Sequence, residues 1–224
     1  AFRHFGNIAG GGVLTSLLYT ALATLSAAVL GLVAKEEVVN VFGIVYQTDT
    51  DDLDTATLLE EGSEVAVIEG LAGNQSSEDR ASGAKAAFEE AGMHIIGAKS
   101  CDWDRQTAMD TAATWIEQFP NLKAIYCCND GMAMGAIQAV INAGKLGQIY
   151  VCGTDGDKDA IESVAAGNLT GTVAQDSAQI GITGLVGVMQ AVENPDDYPA
   201  SAEPEKTPVD AILVTSENAA SMVE

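Results

Sequence analysis

Histidine and basic residues are scarce in this chain. Its 224 residues hold 2 histidines, His4 and His94, and 10 lysines and arginines against 32 acidic side chains. The net charge of -22 repels nucleic-acid phosphates and anionic membrane surfaces, which argues against a nucleic-acid partner. Cys101, Cys127, Cys128 and Cys152 show neither Cys-x-x-Cys nor Cys/His spacing, so no zinc site is expected. Cys127, Cys128 and Cys152 lie in apolar runs and read as small buried hydrophobes, with a disulfide to one of the vicinal pair as the alternative. No Ser/His/Asp or Cys/His set finds a third member, and Gly70-Leu71-Ala72-Gly73-Asn74 lacks the Lys-Ser/Thr that would make it a phosphate loop. Paired acids carry little information in so acidic a chain. Neither an enzyme nor a cofactor is expected.

Charge is also missing along one long stretch. From Phe5 to Ala34 no side chain is charged at neutral pH, and Val13 to Val33 is long enough as a helix to cross about 30 Å of hydrocarbon. Its apolar region exceeds that of a secretory signal, which runs to roughly 15 residues. Because the chain begins at Ala1 with this segment in place, a retained N-terminal apolar helix is expected over residues 1–36. A helix apolar on every face needs cover on every face, so residues 8–34 are expected to meet a membrane, copies of themselves, or the core of the domain.

Residues 37–224 form the second expected domain, and there β and α signals alternate. After a strand-like run from Val38 to Tyr46 and an acidic cap before a helix near Leu53, strands are expected at Glu64 to Glu69, His94 to Ala98, Ala124 to Cys128, Gln148 to Gly153 and Thr170 to Ala174. Helices are expected at Ser77 to Ala91, Arg105 to Gln118, Gly131 to Ala143, Lys158 to Ala166 and Ala178 to Val192, with a return strand at Ala211 to Thr215. The alternation predicts an α/β fold, a mainly parallel sheet with helices on both faces. Sheets of this kind bind ligands outside the carboxyl ends of their strands. Cys127-Cys128-Asn129-Asp130, Gly153-Thr154-Asp155-Gly156 and Val173-Ala174-Gln175-Asp176 each follow an apolar run, so amides and a carboxylate converge on one crevice, a set suited to a neutral polyol. Within the first turn, Asp130 is read as the cap of the helix starting at Gly131.

These turns, together with Ala124 through Gly135 and Thr172-Val173-Ala174-Gln175, resemble the ribose and allose branch of the periplasmic sugar-binding proteins. The match covers about residues 63 to 192 plus the return strand. Such proteins have two Rossmann-like lobes that close on a monosaccharide and deliver it to an ABC transporter. The chain resembles the second lobe with one helix of the first, Ala178 to Val192; most of the first lobe has no counterpart. The resemblance implies an extracytoplasmic protein, at the cell surface or in the periplasm, that binds a monosaccharide such as an aldose. It also implies roles for five residues. Trp103 would stack on the pyranose, Arg80 and Asn129 would bond sugar hydroxyls, Asp155 would accept them, and Gln175 would contribute an amide where the chain crosses between lobes. Four of them have a plainer alternative: core packing for Trp103, a surface ion pair with Glu78 or Asp79 for Arg80, turn formation for Asp155, and a hinge amide for Gln175. Trp115, inside a helical pattern, reads as core. The competing class is structural, a surface assembly or pilin-like filament whose apolar N-terminal helices form the core and display the lobe. A third, the effector domain of a sugar-responsive repressor, lacks a basic DNA-binding unit here.

Overall fold

The computed structural model describes residues 59–194, 197, 209 and 211–223. The apolar segment of residues 1–36, the strand expected at Val38 to Tyr46 and the helix expected near Leu53 lie outside them. The described residues fall into two compact units. One comprises residues 59–175 and 211–223; the other holds a single helix.

In the larger unit the elements are β1 (Glu64–Glu69), α1 (Gln75–Glu90), β2 (His94–Ser100), α2 (Arg105–Gln118), β3 (Leu122–Cys127), α3 (Asp130–Asn142), β4 (Tyr150–Cys152), α4 (Lys158–Ala165), β5 (Thr172–Gln175), β6 (Ala211–Val214) and the short α6 (Ala219–Met222). The smaller unit contributes α5 (Ser177–Glu193). Four strands pair in parallel in the order β2-β1-β3-β4. Right-handed crossovers then place α1 on one face of the sheet and α2 and α3 on the other. Both faces of β1 are thereby covered, which is why Val65, Ala66, Val67 and Ile68 are an unbroken apolar run with 0% exposure rather than an alternating one. Phe88, Ile125, Tyr126, Met132, Val140 and Val151 complete the centre of the core.

Helix starts are set by capping side chains. Asn74 accepts from Ser77 N at 3.2 Å, Asp104 from Thr107 N at 2.7 Å and Asn129 from Met132 N at 2.9 Å. The ends repeat one device. Ala91-Gly92, Ala143-Gly144 and Ala166-Gly167 close α1, α3 and α4, with the glycines at φ of 71°, 66° and 75°, a region that favours a residue without Cβ. On the far face α2 and α3 touch at Gly135, where a Cβ would lie 2.1 Å from the Arg105 carbonyl oxygen.

Two strand expectations change. β4 is three residues long rather than spanning Gln148 to Gly153, because Lys145, Gly147 and Gln148 form a turn with Gln148 N donating to Lys145 O at 2.8 Å. The sheet is parallel only as far as β4: β5 and β6 pair antiparallel, Thr172 opposite Val214 and Gln175 opposite Ala211. Single parallel bridges, Cys152 to Gly171 and Asp155 to Ala174, bring β5 alongside the end of β4.

All four cysteines are free and buried, so the disulfide alternative is not realised. Burial pushes the Cys128 thiol up to about 12 and the Cys127 thiol well above its ordinary value. In the smaller unit, α5 starts at an Asp176 cap and presents Ile182, Leu185, Val186, Met189 and Val192 at exposures of 46 to 62%. None of the described helices is long and apolar enough to cross a membrane.

Candidate functional site

The strand order reverses between β1 and β3, since β1 connects through α1 to one side and β3 through α3 to the other. Such a switch point opens a crevice at the carboxyl ends of the strands. All five sequence-predicted residues lie around that end of the sheet.

Arg80 enters from the first turns of α1. Its side chain is not at the surface with Glu78 or Asp79: the residue is 6% exposed, Nη1 donates to the Cys128 carbonyl at 2.6 Å, and Nη2 meets Asp155 Oδ1 at 2.9 Å. Gln175 Nε2 donates to the same Oδ1 at 2.8 Å, a side-chain partner rather than the backbone bond of a hinge amide. Arg80, Asp155 and Gln175 thus form one continuous polar string across three elements. Hydrogen bonds to a charged partner are roughly twice as strong as neutral ones, so the string is stiff. Burial pushes the Asp155 carboxyl up from its ordinary range, and the Arg80 guanidinium pulls it back. Among the described residues, neither Asp155 Oδ2 nor the buried Arg80 Nε has a hydrogen-bond partner.

The capping role expected of Asp130 falls to Asn129. Asn129, partly exposed, is the α3 cap, its Oδ1 accepting from Met132 N, while its Nδ2 has no acceptor among the described residues. Asp130 is 0% exposed and caps nothing of its own helix. Its Oδ2 accepts from Gly156 N and Asp157 N, both at 2.8 Å, and its Oδ1 from the Thr172 hydroxyl at 2.6 Å. Burial lifts this carboxyl to about 6 against the pull of the Thr172 and Asp157 donors. Sequence reasoning had no means to choose between adjacent acceptors; a tertiary contact with residues 26 to 42 positions later decides it.

Trp103 follows β2 in a turn where Asp102 and Trp103 hold φ of 53° and 63°. For a bulky residue this is an unfavoured conformation, retained only where surroundings dictate it. It lays the indole over Gly70 at the end of β1: a Cβ there would stand 2.2 Å from Cη2 and Cζ2. The ring is half-buried against the core and half open. Trp115, by contrast, is 8% exposed and packs in the core as expected. Gly70 was missed at the sequence level; its only signal is a glycine directly after a strand whose centre, Val65 to Ile68, is apolar. Thr154 and Thr172 were missed as well. Thr154 bonds the Tyr126 hydroxyl at 3.0 Å, and both threonines are buried supports of the Asp155 turn.

The site therefore offers an open carboxylate oxygen, an amide donor, a buried guanidinium and a half-exposed indole face. That set bonds hydroxyls and covers an apolar C-H face. Comparison with known proteins bears on the family of the chain. The family described as periplasmic binding protein domain matches residues 54–195. The chain is 49% identical over 156 residues to the D-allose-binding periplasmic protein of Escherichia coli K12, covering 69% of this chain and 50% of that protein. It is 33% identical over 126 residues to the ribose import binding protein of Bacillus subtilis 168, covering 56% of this chain and 40% of that one. Among solved structures, a periplasmic solute-binding protein from Actinobacillus succinogenes 130z with bound D-allose superposes with a TM-score of 0.70 at 25% identity, over 88% of this chain and 63% of its own. One from Bacillus halodurans C-125 with bound myo-inositol gives 0.65 at 26%, over 89% and 61%. These relatives are named as binding proteins, not as enzymes, and the chain spans half or less of the length of the two curated ones. With its α/β lobe and a match across most of its length, the chain belongs to the periplasmic binding protein domain family.

Proposed function

We propose that this chain forms one wall of a monosaccharide site of an extracytoplasmic solute-binding protein serving ABC-type sugar uptake. The observation that carries this reading is the string of Arg80, Asp155 and Gln175 at the carboxyl ends of the strands, with one carboxylate oxygen left for a hydroxyl. Asn129 Nδ2 serves as a second donor, and Trp103 supplies the apolar platform. D-Allose is the favoured aldose, because the 49% identical relative is named for it. On this reading residues 37–224 are the binding-protein-like part and residues 1–36 a separate apolar segment.

Titration calorimetry against D-allose, D-ribose and other aldoses tests the proposal. Saturable heat with at least one sugar is expected, and Asp155→Ala should weaken it by about 1.5–3 kcal/mol, the loss of a hydrogen bond to a charged group. Absence of heat with every monosaccharide, at protein concentrations high enough for weak binding, would sink it.

A further inference from the structure

We infer that Asp130 is the positioning residue for Asp155: a buried carboxylate that touches no ligand but fixes the backbone from which the ligand-facing carboxylate projects. The inference rests on the reading of Asp155 as a sugar acceptor. Its geometry stands apart from that reading.

Asp155 sits at φ 134°, a conformation that L residues rarely adopt. Such a residue stays in place only when its neighbours over-determine it. Asp130 holds the turn on both sides of that residue. Before it, Asp130 N donates to Thr154 O at 2.8 Å. After it, Asp130 Oδ2 takes the two successive amides of Gly156 and Asp157. The third tie runs from Asp130 Oδ1 to Thr172 on β5, the strand that bonds Asp155 directly: Asp155 N donates to Val173 O at 2.8 Å and Gln175 N to Asp155 O at 3.2 Å. One side chain therefore fixes the turn, the start of α4 and β5 together. The space is made for it as well, since a Cβ at Gly153 would meet Asp130 Oδ1 at 2.2 Å.

The local chemistry predicts which substitution keeps the clamp. An asparagine at 130 retains one oxygen for the Gly156 and Asp157 amides, and its Nδ2 donates to the Thr172 hydroxyl, which accepts as readily as it donates. An alanine leaves the Gly156 and Asp157 amides and the buried Thr172 hydroxyl without their acceptor.

The test uses the sugar-free full chain, followed by D-allose as the probe. Nuclear magnetic resonance follows the exchange of the Gly156 and Asp157 amide protons and of the Arg80 guanidinium protons. Asp130→Ala should accelerate the two amides at least about tenfold, release the Arg80 protons, and weaken D-allose binding by a similar factor. Asp130→Asn should keep wild-type exchange and affinity. If the alanine variant does not fold, Thr172→Val replaces it: valine keeps nearly the same shape, so the change removes a single hydroxyl donor to Asp130 Oδ1. Faster Gly156 exchange and released Arg80 protons are again expected. Arg80 protons that stay slow in either variant would overturn the inference. If the wild type gives no heat with D-allose, the functional reading fails for that sugar, while the exchange data still decide the role of Asp130.

Discussion

Gly70→Ala is the sharpest probe of the indole platform, because it adds one methyl group and removes no polar atom. The new Cβ would lie 2.2 Å from Cη2 and Cζ2 of Trp103 and 2.5 Å from Cε2. Carbon atoms in contact settle at about 3.5–4.0 Å, so the ring must retreat by about 1.5 Å. Backbone movement is an unfavourable route. Cys101 on one side is buried, and Asp104 on the other caps α2 through Thr107. The indole itself must therefore rotate out of its place. Overpacking of this kind costs about 1–3 kcal/mol, and a half-exposed ring sits toward the lower end. Gly70 has no left-handed φ, so the substitution carries no backbone penalty to confuse the result. Emission measured in a Trp115→Phe background reports Trp103 alone. The expected outcome is a red-shifted, more solvent-quenched spectrum, a modest drop in unfolding free energy, and D-allose affinity lowered by about 5- to 150-fold, which is the same 1–3 kcal/mol expressed as binding. Unchanged emission together with unchanged stability would refute the reasoning, since the methyl would then have found room without displacing the ring.

Gly135→Ala places a Cβ 2.1 Å from a backbone carbonyl of α2, which cannot rotate away, so chemical denaturation should register a loss of about 3 kcal/mol or more; a neutral result would mean that the two helices slide freely. For pH, Asp130 titrates at about 6 in the fold against an ordinary 3.8, so the native state holds the extra proton between those values and stability falls as pH rises through them. The wild type should therefore lose up to about 3 kcal/mol relative to Asp130→Asn between about pH 4 and about pH 7; denaturation curves whose difference is flat with pH would contradict this. The free, buried cysteines, with thiols raised by burial, should resist a thiol-specific reagent in the native protein and react fully in denaturant; rapid native labelling of Cys127 or Cys128 would show that β3 opens.

Legibility in the sequence divides along the range of the interaction. The parallel core was readable because a strand covered on both faces must be apolar throughout, as Val65 to Ile68 are. Polar types at strand ends were readable as a candidate site, and the structure adds the bonds that join Arg80, Asp155 and Gln175. What stayed hidden depends on contacts made across the fold. Whether Asn129 or Asp130 caps α3 is settled by Gly156, Asp157 and Thr172, not by neighbours. The alternative read for Arg80, an ion pair with Glu78 or Asp79, lost to Asp155, a carboxylate 75 positions away in sequence that the fold brings to the buried guanidinium. The left-handed backbone of Trp103 leaves no trace in composition, because tryptophan there runs against preference. The antiparallel pairing of β5 with β6 was hidden too, for a helix, α5, followed by a Pro-rich stretch can return the chain in either direction.

The order β2-β1-β3-β4 also bears on how the protein is made. β1 leaves the ribosome first among the described strands, yet it is flanked on both sides in the finished sheet. Its pairing with β2 is possible once Ser100 has emerged; its other edge waits for Leu122 to Cys127. In that interval the backbone groups of an apolar strand stand open to any neighbouring chain, the condition under which nascent polypeptides associate wrongly. A truncated product ending before Leu122 would keep that edge permanently, so interrupted synthesis is expected to yield aggregates seeded between Glu64 and Ser100.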